Sequence, residues 1–344
     1  MKSLLLKIID WFNLYVFFHR YTKNTATIFM VHKIAPESKR IDESITTERL
    51  REYCRYLKKH NYKVFSLTDY VQALINGHKT YKTVVFTVDD GYRDFYDHAY
   101  PVFREFNYPV TIFITSDFIE GKLFFWWDTI EYAISSTSKQ EIDLSFMNRE
   151  KMPLTDKPSK NRAITSITQY CKKLENKDKL ELIGNLVKEL EVDISGQPKG
   201  KYAPLSWDEI RDMQKDGIEF YPHTKTHPIM SHTTTEQKQE ELAIPKKILE
   251  EKLNIKADIF CYPNGTSADF DEETIELLKS TGYIAAVTGM GGFDNTKSKV
   301  DMFRLHRFGL PDHPIWFKQF ICGLEAFKFK LKGQETAEIN PPQY

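Results

Sequence analysis

Short apolar runs of strand length alternate with longer amphipathic stretches along most of this chain, and the alternation predicts an α/β fold built on parallel strands. The runs are Ala26 to His32, Lys63 to Ser66, Thr83-Val84-Val85-Phe86-Thr87-Val88, Tyr108 to Thr115, Ile218 to Pro222, Asp258 to Tyr262, Tyr283 to Thr288 and a last one near Arg304 to Leu310. Between them, helical patterning predicts helices from about Thr47 to His60, from Leu67-Thr68-Asp69 onward, from Tyr92 to about Phe106, around Gln237 to Leu253 and from Asp271 to Ser280. Another begins at Ser206-Trp207-Asp208-Glu209, which has the spacing of a capping box. Seven or eight such units favour a distorted (β/α) barrel, complete or incomplete, over an open sheet.

Three segments depart from the alternation. Between about 116 and 205 the chain becomes rich in lysine and glutamate with helical periodicity, opening on Leu123-Phe124-Phe125-Trp126-Trp127-Asp128 and rejoining through Gly196-Gln197-Pro198-Lys199-Gly200. This reads as a helical insertion in a barrel spanning 23–310. Residues 311–344 read as an apolar helix, Ile315 to about Leu331, and a tail. In residues 1–22, Lys2, Ser3, Lys7, Asp10 and Asn13 share one side of a helical wheel, while Leu4, Leu5, Ile8, Ile9, Trp11, Phe12, Tyr15 and Phe18 cover the rest. Such a helix suits a membrane interface, with lysines at headgroup level, and equally suits packing on the domain itself. Two lysines and an aspartate interrupt a stretch of barely spanning length, which argues against a transmembrane helix. With no small-residue cleavage site it does not read as a signal peptide. The expected location is cytoplasmic, peripheral at the cytoplasmic face of the inner membrane.

Composition narrows the picture further. With 344 residues, 41% hydrophobic and 28% charged, the chain can bury a full core. Its 48 basic and 48 acidic residues give zero formal net charge, so no nucleic acid partner is expected. Cys54, Cys171, Cys261 and Cys322 are far apart and form no C-x-x-C pair, so neither a thiolate zinc site nor a disulfide framework is expected, and a reducing compartment is the simplest reading.

The candidate chemistry lies at strand ends. The run ending at Val88 is followed by Asp89-Asp90-Gly91, where α/β proteins carry their chemistry. The plainer alternative is that one aspartate caps the next helix and the other sits in a solvated turn. Other runs end on His32, on Tyr221-Pro222-His223-Thr224-Lys225-Thr226-His227-Pro228 and on Cys261-Tyr262-Pro263-Asn264-Gly265, so a barrel would gather all of them on one rim. Two histidines four residues apart, with one carboxylate, make a set suited to Zn²⁺ or a similar divalent ion that leaves positions for water and substrate.

In these residues the chain resembles the polysaccharide deacetylases with a NodB-type domain, a distorted barrel related to the TIM fold. Thr87-Val88-Asp89-Asp90-Gly91 is similar to their Thr-Phe-Asp-Asp-Gly motif, and His223-Thr224-Lys225-Thr226-His227-Pro228 matches His-Ser/Thr-x-x-His-Pro in full. The resemblance runs from about Thr27 to Leu310, without the insertion and both terminal helices. It implies that Asp90, His223 and His227 hold a divalent metal, most readily Zn²⁺, and that Asp89 is the general base taking a proton from the attacking water. The third motif departs from the common Arg-x-Pro-Tyr. Phe260-Cys261-Tyr262-Pro263-Asn264-Gly265 looks like the Tyr-Pro-x-Gly variant of bacterial exopolysaccharide systems, in which the Tyr262 backbone N–H would help hold the oxyanion, with Pro263 and Asn264 beside the substrate. No arginine stands there, so the partner that orients Asp89 is not identified. For the general acid the resemblance offers His32, similar to a first-strand histidine of the variant branch. His306 in Arg304-Leu305-His306-Arg307 is the other candidate, although a strand-end histidine is as readily satisfied by a hydrogen bond; His32 is preferred. Trp126 and Trp127 either offer indole faces to sugar rings or belong to a core. The implied activity is removal of an N-acetyl group from an amino sugar in a polysaccharide or a lipid-linked saccharide precursor. An O-acetyl esterase or deformylase using the same site, and a glycan-binding homologue without catalysis, are the alternatives.

Overall fold

The computed structural model describes residues 9, 11–12, 14–36, 38, 44–147, 150–196, 198–332 and 336–337. The apolar runs form β1 (Ala26–Val31), β2 (Lys63–Phe65), β3 (Thr83–Val88), β4 (Thr111–Ile114), β5 (Glu219–Pro222), β6 (Ile259–Cys261), β7 (Ala285–Val287) and β8 (Phe308–Gly309). All ladders among them are parallel, in the order β8-β1-β3-β4-β5, with β2 beside the first half of β3. β6 and β7 form a separate parallel pair. β7 reaches the other edge through a parallel bridge from Val287 to Leu305, three residues before β8. Between β5 and β6 no ladder forms among the described residues, and the seam is spanned by the His223 ring, whose Nδ1 lies 2.9 Å from the Cys261 carbonyl. The fold is therefore α/β, a parallel barrel left unzipped at one seam.

β3 is buried at every position, which explains its unbroken apolar sequence. The period of two divides its neighbours. Ile28, Val85, Phe113, Tyr221, Ile259 and Leu305 pack together on one face, whereas Phe29, Val84, Phe86, Val88, Ile112 and Phe220 join the helices on the other. Those helices are α1 (Thr47–Lys59) and α3 (Tyr100–Phe106), whereas α2 (Leu67–Asn76) puts Leu67, Tyr70, Val71 and Leu74 into the cluster of Ile28 and Val85. α2 starts at Leu67, as its sequence pattern suggests, with Ser66 as the N-cap that accepts the Asp69 N–H. The helix predicted from Tyr92 is α-helical only from Tyr100 and is preceded by a π-turn, Phe95–Ala99, in which the Tyr100 N–H bonds the Phe95 carbonyl. Pro101 is the cause, since it brings no N–H to an α-type ladder and its ring crowds the turn before it.

The segment between β4 and β5 carries α4 (Ser116–Ile119), α5 (Trp126–Ser136), α6 (Lys157–Cys171) and α7 (Asn176–Glu189). The last three share a hydrophobic cluster of their own built on Ile130, Ile134, Ile167, Ile183 and Leu186. α8 (Trp207–Gln214) opens with the reciprocal Ser206/Glu209 capping box that its sequence predicts. α9 (Thr235–Leu253), α10 (Glu272–Ser280), α11 (Pro314–Ile321) and α12 (Leu324–Lys332) follow. The predicted single C-terminal helix is divided at Gly323, whose φ is +91°; a Cβ there would lie 2.5 Å from the Phe18 carbonyl oxygen, so glycine admits the N-terminal segment. Of that segment, residues 1–8, 10 and 13 lie outside the described residues. Leu14–Thr22 is a 3₁₀-helix with Tyr15 buried and with Phe18 and Tyr21 on Phe327 of α12. No helix among the described residues is long and apolar enough to cross a membrane.

Candidate metal centre and its surroundings

The two aspartates leave β3 in different directions because the chain turns between them. Asp89 continues the ladder, its N–H donating to the Val31 carbonyl at 3.0 Å, and keeps the parity of Val85 and Thr87. Asp90 then adopts φ +78° and Gly91 φ +93°, a left-handed pair that swings the second carboxylate across the strand ends. A Cβ on Gly91 would stand 3.0 Å from Ile119 and 3.1 Å from Ile114, so the turn is also tightly covered.

The histidine pair is carried by a turn rather than a helix. Thr224 and His227 both have positive φ, +65° and +60°, a strained arrangement for residues with side chains. Its surroundings hold it. The Thr224 hydroxyl accepts the His227 N–H at 2.8 Å, and the Ser116 and Asp117 N–H groups at the start of α4 donate to the Thr224 and Lys225 carbonyls. From α9, the buried Glu241 carboxylate accepts the Lys225 and Thr226 N–H groups at 2.8 Å and the Thr226 hydroxyl at 2.5 Å. The result places His223 Nε2 at 3.6 Å and His227 Nε2 at 3.4 Å from Asp90 Oδ1, with all three residues buried.

These residues fit a divalent cation. Asp90 Oδ1 is buried and has no hydrogen-bond donor. His223 bonds the Cys261 carbonyl through Nδ1, so Nδ1 carries the proton and Nε2 turns a lone pair to Asp90. Burial, followed by the neighbouring His227, lowers the His223 pKa to about 4 and keeps the ring neutral near pH 7. For Asp90, burial opposes the charge, yet His227, His32 and His223 hold its carboxyl below the usual carboxylate range. An anionic oxygen and imidazole nitrogens in a shared buried space, with no donor for the oxygen, are a costly arrangement that a cation satisfies.

Asp89 is held by a residue that the sequence reading left unidentified, Arg307. Its guanidinium is 1% exposed and grips both carboxylate oxygens, Nη1 to Oδ1 at 2.7 Å and Nη2 to Oδ2 at 2.9 Å. Nη1 also donates to the Thr87 hydroxyl, Nε to the Thr288 carbonyl, and Nη2 lies 3.1 Å from Cys261 Sγ. Cys261 stands two residues before Pro263, where the arginine of Arg-x-Pro-Tyr would be; Arg307 reaches the same place from beside β8. Burial works against the Asp89 charge, and Arg307 outweighs it, keeping the carboxyl below its ordinary range. The signal available in the sequence was the parity of Arg307 with the apolar Leu305 two positions earlier, opposite to that of His306.

His32, at the end of β1, sits with Nε2 3.8 Å from Asp89 Oδ2 and half its side chain in solvent. His306 is not brought to the site. Alternation sends Arg307 inward and His306 outward, where its ring lies on Gly292 and its Nδ1 meets Asp294 at 2.8 Å. The Tyr262 N–H is likewise not free for an oxyanion, because it donates to the Val287 carbonyl at 3.2 Å as the β6/β7 ladder runs on; its ring stacks on Phe270 and its hydroxyl bonds the Phe303 carbonyl. Pro263, buried, and Asn264, exposed, follow on the same rim. Trp126 belongs to the core of the insertion under the Lys179 ammonium. Trp127 instead reaches the cation site: its ring is 4.7 Å from that of His227, stacked on Phe125, and its N–H donates to the Tyr92 hydroxyl. That hydroxyl donates to Asp128 at 2.6 Å, which fixes the insertion against the strand ends.

The profile of the family described as polysaccharide deacetylase matches residues 76–286. A Bacillus subtilis protein named as a polysaccharide deacetylase, YxkH, is 30% identical over 112 residues, 33% of this chain and 38% of the relative, so the match spans less than half of that protein's length. A poly-beta-1,6-N-acetyl-D-glucosamine N-deacetylase of Staphylococcus epidermidis is 22% identical over 222 residues, 58% of this chain and 73% of its own. Among solved structures, IcaB from Ammonifex degensii superposes with a TM-score of 0.58 at 15% identity, over 87% of this chain and 97% of that one. The Streptococcus pyogenes deacetylase PplD does so with 0.56 at 17%, over 84% and 93%. At such identity the structures establish a shared fold.

Proposed function

Since the chain belongs to the polysaccharide deacetylase family, we propose that it hydrolyses the N-acetyl group of an amino sugar within a glycan, with a divalent cation, Zn²⁺ by the character of its ligands, held by Asp90, His223 and His227. The observation that supports this most is the separation of the two carboxylates: Asp90 faces the histidines with an unpaired oxygen while Asp89 is gripped by Arg307. A divalent ion bound there supplies Lewis acidity, polarising the acetamide carbonyl and making water a better acid.

The chain supplies the rest. Arg307 takes one acceptor site on each oxygen of Asp89, and a carboxylate has about four in all. The remaining lone pairs can take a proton from the attacking water, in an orientation that the guanidinium fixes. The pair also stops Asp89 from turning into the cation site as a further ligand. His32, solvated and next to Asp89, is placed to hand a proton to the departing amine. Trp127 walls His227 and limits water on that side. The Staphylococcus relative, by its name, acts on an N-acetylglucosamine polymer. Here an N-acetylated glycan, free or as a lipid-linked precursor, is the corresponding substrate class.

The test pairs metal analysis with acetate release from N-acetylglucosamine oligomers and lipid-linked N-acetyl sugars, for wild type and Asp89→Asn. One divalent ion per chain in both proteins is expected, with acetate release falling roughly 10²–10⁴-fold in the variant. Acetate from O-acetyl but not N-acetyl substrates would replace this reading with an esterase.

A further inference from the structure

Four of the large apolar side chains that the structure leaves in solvent fall within seven positions: Trp11 is 85% exposed, Phe12 66%, Val16 59% and Phe17 66%. The other side of this segment is occupied. Tyr15 is buried, Phe18 and Tyr21 pack on Phe327, and the Phe18 carbonyl sits over Gly323, so the apolar face is held outward by a fixed backing. Its borders are cationic. Residues 11–23 contain no acidic side chain, and Arg20 and Lys23 are exposed one and two 3₁₀ turns beyond Phe17. α12, packed alongside, ends on exposed Lys330, Leu331 and Lys332, and its one acid, Glu325, is engaged by Lys328 and Gln319. In a chain of zero net charge this is a local excess of positive charge around aromatic residues.

We propose that this face docks on a bilayer containing anionic phospholipid, as a peripheral anchor that does not span it. Aromatic rings at the headgroup boundary and flanking cations near anionic lipid are what such a surface selects. A second copy of the chain would bring the same cations together across a two-fold axis, which disfavours self-association through this face. The inference goes beyond the hydrolytic reading and does not depend on it, since none of these residues belongs to the cation site.

The test is cosedimentation of the full-length chain with phosphatidylcholine vesicles, with and without phosphatidylglycerol. Wild type is expected to bind the mixed vesicles and to be released by salt. Arg20→Gln/Lys330→Gln/Lys332→Gln should bind them about a hundredfold more weakly, at roughly fivefold per cation. Trp11→Ser/Phe12→Ser/Phe17→Ser should lose binding at any salt concentration, while keeping its thermal transition. Failure of wild type to bind the mixed vesicles, or equal binding to both kinds, would overturn the proposal. So would a wild-type dimer in sedimentation equilibrium that the aromatic substitutions dissolve.

Discussion

Arg307 and Asp89 are separated by 218 positions in sequence and by one hydrogen bond length in space. Each is buried, so each depends on the other to remain charged away from water. Arg307→Ala leaves an uncompensated anion, and urea unfolding should show a loss of about 3–5 kcal/mol. Glu241 presents a different case, because its three hydrogen bonds hold the turn that carries two cation ligands. Glu241→Ala is expected to weaken divalent-ion affinity by about 10–100-fold in chelator competition, as loss of an outer partner of metal ligands does. What could be read at this scale from sequence alone was what lies close along the chain. Asp89-Asp90-Gly91 and His223 to His227 are local patterns. The Arg307 partnership is not local, and choosing between it and the adjacent His306 requires the strand's facing, which a shift of one residue inverts.

One attachment of the insertion to the barrel lies at the start of α5. There Asp128, 1% exposed, accepts from Tyr92 and lies 3.5 Å from the Lys33 ammonium. Burial raises its pKa to about 6, with Lys33 only partly opposing the shift. The sign follows from linkage: a carboxyl whose folded pKa is raised binds its proton more tightly in the folded state, so its stabilising contribution is complete below the unfolded value and is lost as pH rises through about 6. Wild type should therefore lose up to about 3 kcal/mol relative to Asp128→Asn between pH 4 and pH 7, read from denaturant midpoints at each pH. Elements were legible where a periodic run met its cap, as at Ser206. They were less so where a single residue overrode the pattern: Pro101 converts part of a predicted helix into a π-turn, and Gly323 divides another.

Taken whole, the molecule brings its cation ligands from two strands, β3 and β5, with β4 between them. A ligand that binds only the folded arrangement stabilises it by about 2.7 kcal/mol at a hundredfold excess over its dissociation constant. Removing divalent ions with a chelator should therefore lower the melting temperature of wild type and leave that of a His223→Ala/His227→Ala variant unmoved. The class of fold was visible in the alternation of runs, since parallel strands buried on both faces leave continuous apolar sequence. The open seam was not, because ladder closure depends on strand tilt and register rather than on hydrophobicity.

That seam divides the barrel unequally. Asp90, His223 and His227 all belong to the side that runs through β3 to β5, while the loop of Cys261 to Gly265 belongs to the other; across the divide Tyr221 and Ile259 share a hydrophobic cluster and His223 Nδ1 bonds the Cys261 carbonyl, with no ladder among the described residues. The three candidate cation ligands thus hang on one continuous run of hydrogen-bonded strands, and the His223 ring is steadied from across the seam.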